Sequence, residues 1–455
     1  MNLQKEFIRS WKELEGICST EEILSWISKR NSSIEVKVDK IYLQDCRDWY
    51  YDRDKGSIHN KNNSFFYITG IKKCILDKVR EQPIIIQNEI GYLGIICKKI
   101  NGVLHFLMQA KIEPGNINAV QISPTIQATK SNFTLKHGGR VPSYLEYFLN
   151  ADSKRIIVNQ LQSEQSSRFL KKRNINIIIY LKDDEYIDVL PSHMWMTLGQ
   201  IKQLMKMDNI VNMCTRTVLS CIPFSLFDSP DNLTKENSPL LRSVLARPEH
   251  NTIISIYKNI NTMKMFNENQ SELLDLFTLN GWEMKGNEFV YKKAFPFKLI
   301  FCDIRIEDRE VGNWCQPLFE ATGKSLFGLF IRKNNNILEF LIKIMPEIGC
   351  FDFAELGPSV QKESAIFDDN DAVERLFYNK LEKQEGILFD TLLSEEGGRF
   401  YNEENRNVII LIVKDELEKL PPNYFWCNFA TLNLLNQFNN CLNIQLRNIL
   451  SVLEL

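Results

Sequence analysis

The sequence predicts an α+β protein of two similar modules in tandem, each a mixed or antiparallel sheet flanked by helices. Three observations predict it. Helical spacing of apolar residues opens the chain, an apolar strand runs into an alternating polar stretch near residue 120, and that pattern returns in the second half. With 455 residues the chain is long enough to bury two substantial cores.

Near the N-terminus, Phe7, Ile8, Trp11 and Leu14 fall on one helical face. Ser19, three residues before Glu22, reads as a capping box that starts a second helix. A polar, aromatic-rich region follows, with Trp49 and Ile58 as candidate walls of a ligand site and His59 in a loop. Phe65 to Ile71 reads as a strand. Residues 82–137 then organise the module. The apolar run Val103, Leu104, Phe106, Leu107, Met108 leads into Gln109, Lys111 and Glu113, and Pro114-Gly115 turns the chain. Beyond the turn Gln121, Ser123, Thr125, Gln127, Thr129 and Ser131 alternate with Ile122, Pro124, Ile126 and Ala128. A strand puts these sets on opposite faces, so one face packs while the other presents hydroxyls and amides to a lined pocket.

A short helix over 144–148 and a strand over 155–158 come next. Gln162, Glu164, Gln165, Arg168 and Arg173 then crowd together before a strand over 175–180. A helix carrying Trp195, Leu198, Ile201 and Leu204 closes the module. Periodicity is lost and Pro, Asn and Ser accumulate around 226–250, giving a first module over 1–228, a linker over 229–250 and a second module over 251–455.

The repeat has a defined register. A shift of 234 lays Gln82-Pro83 on Gln316-Pro317, Gly94 on Gly328, Glu113 on Glu347 and Gln127 on Gln361. A shift of 231 lays SEQSSRF on SEEGGRF, Trp195 on Trp426 and Arg216 on Arg447. These matches read as an internal duplication. The copies differ at ionisable positions: Gln109 meets Lys343, Lys111 meets Met345, and His105 meets Glu339. The first module is therefore the expected catalytic one, and the second a structural or nucleotide-binding relic.

Composition excludes several classes. A net charge of -2 provides no basic field for nucleic acid or an anionic membrane. Eleven cysteines, scattered and without a CxxC pair, fit reduced thiols in the cytoplasm. The charged N-terminus lacks the apolar core of a signal peptide, and no apolar stretch reaches spanning length. The five histidines have no metal-binding spacing, no glycine fingerprint joins a strand to a helix, and no lysine stands in a pyridoxal phosphate context. No cofactor is expected.

The runs QPIIIQNEIGYLG, LHFLMQAKIEPGNIN, QISPTIQATKSNFTLKHGG, LQSEQSSRFLKKRN, TLGQ and DNIVNMCTRTVLSC together resemble the NDP-4-keto-6-deoxyhexose 2,3-dehydratases. The likeness covers nearly the whole first module and, more weakly, the second. It implies two Nudix-like modules without the Nudix metal box, and a cytoplasmic homodimer. It also implies a nucleotide-linked 4-keto-6-deoxyhexose as substrate, typically dTDP-4-keto-6-deoxyglucose, and a 3-ketoreductase acting on the unstable diketo product. A non-catalytic nucleotide-sugar binder and a Nudix-type hydrolase stay open as alternatives.

The implied reaction abstracts the C-3 proton made acidic by the 4-keto group, holds the enolate and expels the C-2 hydroxyl. His137, before Gly138-Gly139, is the first choice for base or acid, with Glu113 and Lys111 sharing acid–base work or enolate stabilisation. Gln109, Gln127, Thr129 and Asn132 are candidates to orient sugar hydroxyls. Arg168 and Arg173 suit a diphosphate, and Trp49 and Tyr144 suit the base. His59, Gln162, Glu164 and Gln165 complete the candidate substrate site, with Asn212 and Arg216 either touching ligand or tying down helix ends. His105 and Trp195 read as core. Glu113 has a second reading as a cap of the turn after it, since Glu347 persists in the other copy.

Overall fold

The computed structural model describes residues 3–62, 65–134, 140–226, 238–267, 270–307, 311–365, 370–417 and 419–455. It is a mixed α/β structure in which helices pack on mixed and antiparallel sheets. The expected N-terminal helices form as Leu3–Lys12 and Thr20–Ser33. The second opens with the capping box, Glu22 N donating to Ser19 Oγ at 3.2 Å and Ser19 N to Glu22 Oε2 at 2.7 Å. Phe7, Ile8 and Trp11 are buried, whereas Leu14 lies beyond the helix and is exposed.

The central stretch builds a seven-stranded sheet. Its order is Ile156–Ser163, Arg173–Leu181, Tyr92–Ile100, Val103–Ile112 and His193–Thr197, with Val120–Ser123 and Ile126–Ala128 paired alongside. A second seven-stranded sheet, from Leu326 onward, repeats this pairing pattern. Gly94 faces Ile177 in a parallel pair in the first, and Gly328 faces Val408 in the second. His105 faces Thr197, and Glu339 faces Asn428, in the matching antiparallel pairs.

The halves are not separate. Val36–Ile41 joins Phe297–Ile306 of the second half, and Glu272–Leu274 joins Tyr67–Ile75 of the first. One core cluster runs through both halves, including Phe7, Ile95 and Phe106 together with Leu329, Phe340 and Leu446. Removing this shared apolar surface from water binds the halves together, each buried Phe or Leu contributing about 1.5–3 kcal/mol.

Several local expectations change. His59 lies on the strand Ser57–Asn60 rather than in a loop, because its ring stacks on Tyr67 (4.7 Å) and bonds Ser57 Oγ at 2.8 Å. Trp195 lies on the strand His193–Thr197, and the helix begins after it at Leu198, where Thr197 supplies the cap. Within the expected linker, Pro239–Leu245 is a helix started by Ser238 and Pro239, with Leu240, Leu241 and Val244 in the shared core. Among the described residues no helix is long and apolar enough to cross a membrane.

Candidate functional site

The alternating polar row does not line a pocket along its length. Gln121, Ser123 and Thr125 are buried, and each makes hydrogen bonds inside the protein, although Gln121 Nε2 has no partner among the described residues. Thr125 Oγ1 donates to Leu107 O at 2.5 Å and accepts from Ile96 N at 2.9 Å. Gln121 Oε1 accepts from Ser394 Oγ at 2.9 Å. These polar groups are interior because each has a fixed partner. Only the far end of the row, Gln127 and Thr129, opens on a cavity of about 420 Å³.

Both halves line that cavity. Lys111 and Glu113 enter from the end of the central strand, with Gln127, Thr129 and Asn132 beside them. Trp49 and Phe66 form an aromatic wall, their ring centroids 4.6 Å apart, and Trp49 Nε1 donates to Cys315 O at 2.8 Å. From the second half come Trp314, Gln316, Glu396, Gly398 and Arg399. Gln316 Nε2 holds Gly398 O at 2.8 Å.

A relay of amides fixes Glu113. Asn212 caps the helix Met213–Ser220 through Thr215 N and directs its Nδ2 to Gln127 Oε1 at 3.3 Å. Gln127 Nε2 then donates to Glu113 Oε1 at 2.9 Å. The second half repeats the relay: Asn443 Nδ2 reaches Gln361 Oε1 at 2.8 Å, and Gln361 Nε2 reaches Glu347 Oε1 at 3.0 Å. The relay is thus framework, and the surroundings decide what each carboxylate can do.

A reciprocal clasp sets those surroundings. Gly115 N donates to Gly397 O at 2.8 Å, and Gly349 N to Ser166 O at 2.8 Å. A Cβ on Gly115 would stand 1.7 Å from Phe400 O, and one on Gly349 1.8 Å from Phe169 O, so only glycine permits the approach. Each half thereby passes its arginine to the other. Arg168 lands beside the second half's carboxylates, with Nη2 2.7 Å from Glu363 Oε2 and 3.5 Å from Glu403 Oε1. Arg399 lands in the first cavity, over the Phe66 ring at 4.3 Å, with Nη1 on Gly398 O and its buried Nε without a hydrogen-bond partner among the described residues. Where Glu363 and Glu403 meet Arg168, the first cavity has Thr129 and Lys172. Arg168 is paired with carboxylates of the second half, whereas Arg399 lines the cavity with Glu396, Glu113 and Glu89 around it. The Nε of each is without a hydrogen-bond partner among the described residues.

Burial shapes the charges here. It pushes the Glu396 carboxyl up to about 8, against the pull of Arg399. It raises Glu164 as well, although Asn174 Nδ2 donates to that carboxylate at 2.6 Å, and it lowers Lys172 to about 8. Cys214 also borders the cavity, with its thiol pushed up by burial.

Of the expected site residues, the structure gathers Lys111, Glu113, Gln127, Thr129, Asn132 and Trp49. His137 lies outside the described residues. The others sit elsewhere. Gln109 is half-buried on the central strand, opposite Ser123 and His193. Tyr144 is buried, its hydroxyl between Asp188 O and Leu190 N. Gln162 bonds Asn436 O and Asn440 N of the second half. Gln165 is buried in the clasp loop, Arg173 covers Phe351 at 3.9 Å, and Glu164 lies behind Asn174. Arg216 is buried, bonding Val211 O and Ser394 O, each at 2.6 Å. Asn212 and Arg216 thus hold helix and interface. His105 is a satisfied core histidine, between Val103 O and Ile17 N. Phe66, Trp314, Gln316, Glu396 and Arg399 went unpredicted. The SEQSSR/SEEGGR match carried the signal for the last two, but spacing does not show that the loops cross over.

A family model described as NDP-hexose 2,3-dehydratase matches residues 20–222 and again 254–453. The chain is 33% identical over 451 residues to a dTDP-4-dehydro-6-deoxy-alpha-D-glucopyranose 2,3-dehydratase of Saccharopolyspora spinosa, covering 96% of this chain and 92% of that one. It is 32% identical to proteins of the same name from Amycolatopsis orientalis (96% and 90% covered) and Streptomyces violaceoruber (96% and 97% covered). With both halves matched by the family model, the chain belongs to the NDP-hexose 2,3-dehydratase family.

Proposed function

We propose that the chain removes water across C-2 and C-3 of dTDP-4-keto-6-deoxy-D-glucose, giving the 3,4-diketo-2,6-dideoxy sugar for deoxysugar biosynthesis. The observation that carries this reading is the composite cavity, which joins Glu113, Glu396, Lys111 and Arg399 in a chain of this family. The nucleotide base lies along Trp49 and Phe66, and Arg399 takes the diphosphate by paired N–H donors. Glu113, aimed by Gln127, removes the C-3 proton. Lys111 stabilises the enolate at O-4. Gln127, Thr129 and Asn132 orient the sugar. The enolate then expels the C-2 oxygen, and the enol product tautomerises to the diketone. The electrons stay within the sugar, so the balance calls for no redox cofactor.

The matched strand orders and the twofold family match support two modules arising by duplication, and the family resemblance gives these modules a Nudix-like fold. A homodimer, a cytoplasmic location and a 3-ketoreductase consuming the diketone complete the proposal. The eleven cysteines, all free, accord with a reducing compartment. Mass spectrometry of the purified chain with dTDP-4-keto-6-deoxyglucose and a 3-ketoreductase trap tests the function. A sugar nucleotide lighter by one water before reduction is expected. Tight binding without water loss would leave a binding protein, and magnesium-dependent release of a nucleoside monophosphate would indicate a Nudix-type hydrolase.

A further inference from the structure

We propose that Glu396, contributed by the second half, is the general acid that protonates the departing C-2 hydroxyl. The assignment rests on the proposed dehydration, and it adds a catalytic residue from the half expected to be a relic.

The geometry comes from Gly398. A Cβ built there would stand 3.0 Å from Glu396 Oε1 and 3.4 Å from Glu113 Oε1. Two carboxyl oxygens, one from each half, therefore converge on a single gap beside the cavity, and the glycine keeps that gap open. The clasp makes the convergence rigid: Gly115 N bonds Gly397 O, Asn402 N bonds Gly115 O at 3.0 Å, and Gln316 holds Gly398 O. Glu396 has no counterpart carboxyl in the first copy, where Gln165 occupies its place.

The two carboxyls have different settings. Glu113 Oε1 accepts a hydrogen bond from Gln127 Nε2, which aims the carboxylate from the first half. Glu396 is half-buried at the cavity wall, facing Arg399 on its own loop and Glu164, Glu113 and Lys172 from the first half. Burial and the two glutamates outweigh the cations and hold its carboxyl above the ordinary carboxylate range. Two carboxyls that meet at one gap in such unlike surroundings can divide the work of base and acid.

The step balances. Glu113 takes the C-3 proton, and its electron pair forms the enolate. The enolate re-forms the C-4 carbonyl and a C-2/C-3 double bond as the C-2–oxygen bond breaks. The proton of Glu396 goes to the leaving oxygen, which departs as water, and Glu396 is left as a carboxylate. Tautomerisation moves a proton from O-3 to C-2, and transfer from Glu113 to Glu396 through solvent resets the pair.

Because the acid acts after the enolate forms, the two roles separate in deuterium oxide. With dTDP-4-keto-6-deoxyglucose, Glu396→Gln is expected to lower kcat for water loss by about 100- to 10,000-fold. Substrate affinity should stay within about threefold, and deuterium should still wash in at C-3. Glu113→Gln should lose wash-in and water loss together. Glu396→Gln dehydrating within about threefold of wild type overturns the assignment, as does loss of wash-in along with dehydration. If that variant fails to fold, Gly398→Ala carries the test. Its methyl fills the gap without changing charge and should likewise spare wash-in while blocking elimination, whereas unimpaired elimination overturns the assignment. Wild-type protein that binds substrate but neither exchanges nor dehydrates overturns the proposed function itself, and the Glu396 role with it.

Discussion

Arg168 and Arg399 occupy matching places in the two halves, so replacing each should injure the protein differently. Arg168 has a side chain only 3% exposed, 2.7 Å from Glu363 and 3.5 Å from Glu403. Arg168→Ala strands those carboxylates in the interior, and breaking such a buried pair from one side costs about 3–5 kcal/mol. Among the described residues no carboxylate is clamped on Arg399 at that distance, and the proposed function puts its work on the ligand. Losing a charge-assisted contact to diphosphate costs about 1.5–3 kcal/mol, or roughly 10- to 150-fold in affinity. Arg399→Ala should therefore weaken dTDP binding by that factor, measured by isothermal titration, while its urea-unfolding midpoint moves little. Arg168→Ala, or Arg168→Lys if the alanine variant does not fold, should lower the midpoint and leave dTDP affinity near wild type. Unchanged dTDP affinity in Arg399→Ala, or a binding defect in a folded Arg168 variant, would refute the crossed-arginine reasoning.

Glu355 offers a test by pH. Burial raises its carboxyl to about 8 while Ser163 Oγ donates to it at 2.6 Å, and Gln121 holds the equivalent place in the first half. A raised carboxyl pKa gives stability that is complete below the unfolded value and lost as pH rises towards about 8. Glu355→Gln should thus unfold at higher urea than wild type above that pH, with the gain vanishing in acid; an equal gain at all pH values would contradict it. Gly115→Ala should destabilise the chain and sharply reduce dTDP binding, since its methyl collides with Phe400 O; native behaviour in both assays would deny the clasp its role. Trp49→Ala should weaken dTDP more than it weakens inorganic diphosphate, and equal losses would remove Trp49 from the base site.

Much of the fold was legible because it depends on nearby residues. The Ser19 capping box, the helical face of Phe7 and Trp11, and the central strand follow from local spacing, and the 234- and 231-residue shifts anticipate matching strand pairs. The Glu113–Gln127 contact was half-visible, since both residues recur as Glu347 and Gln361. The misreadings came from long-range geometry. A row of hydroxyls and amides has the same alternation whether it lines a pocket or, as with Thr125 and Gln121, finds partners inside. Arg168 and Arg399 are equivalent in sequence, and only the crossing of the loops at Gly115 and Gly349 sends each into the opposite half.

A site built by both halves fixes where the ligand must sit, and a crystal structure with a bound dTDP-sugar would show it. The base is expected on Trp49 and Phe66, the diphosphate on Arg399, and the hexose between Glu113 and Glu396. A sugar nucleotide seated instead against Arg168 or Arg173, with that cavity empty, would contradict it.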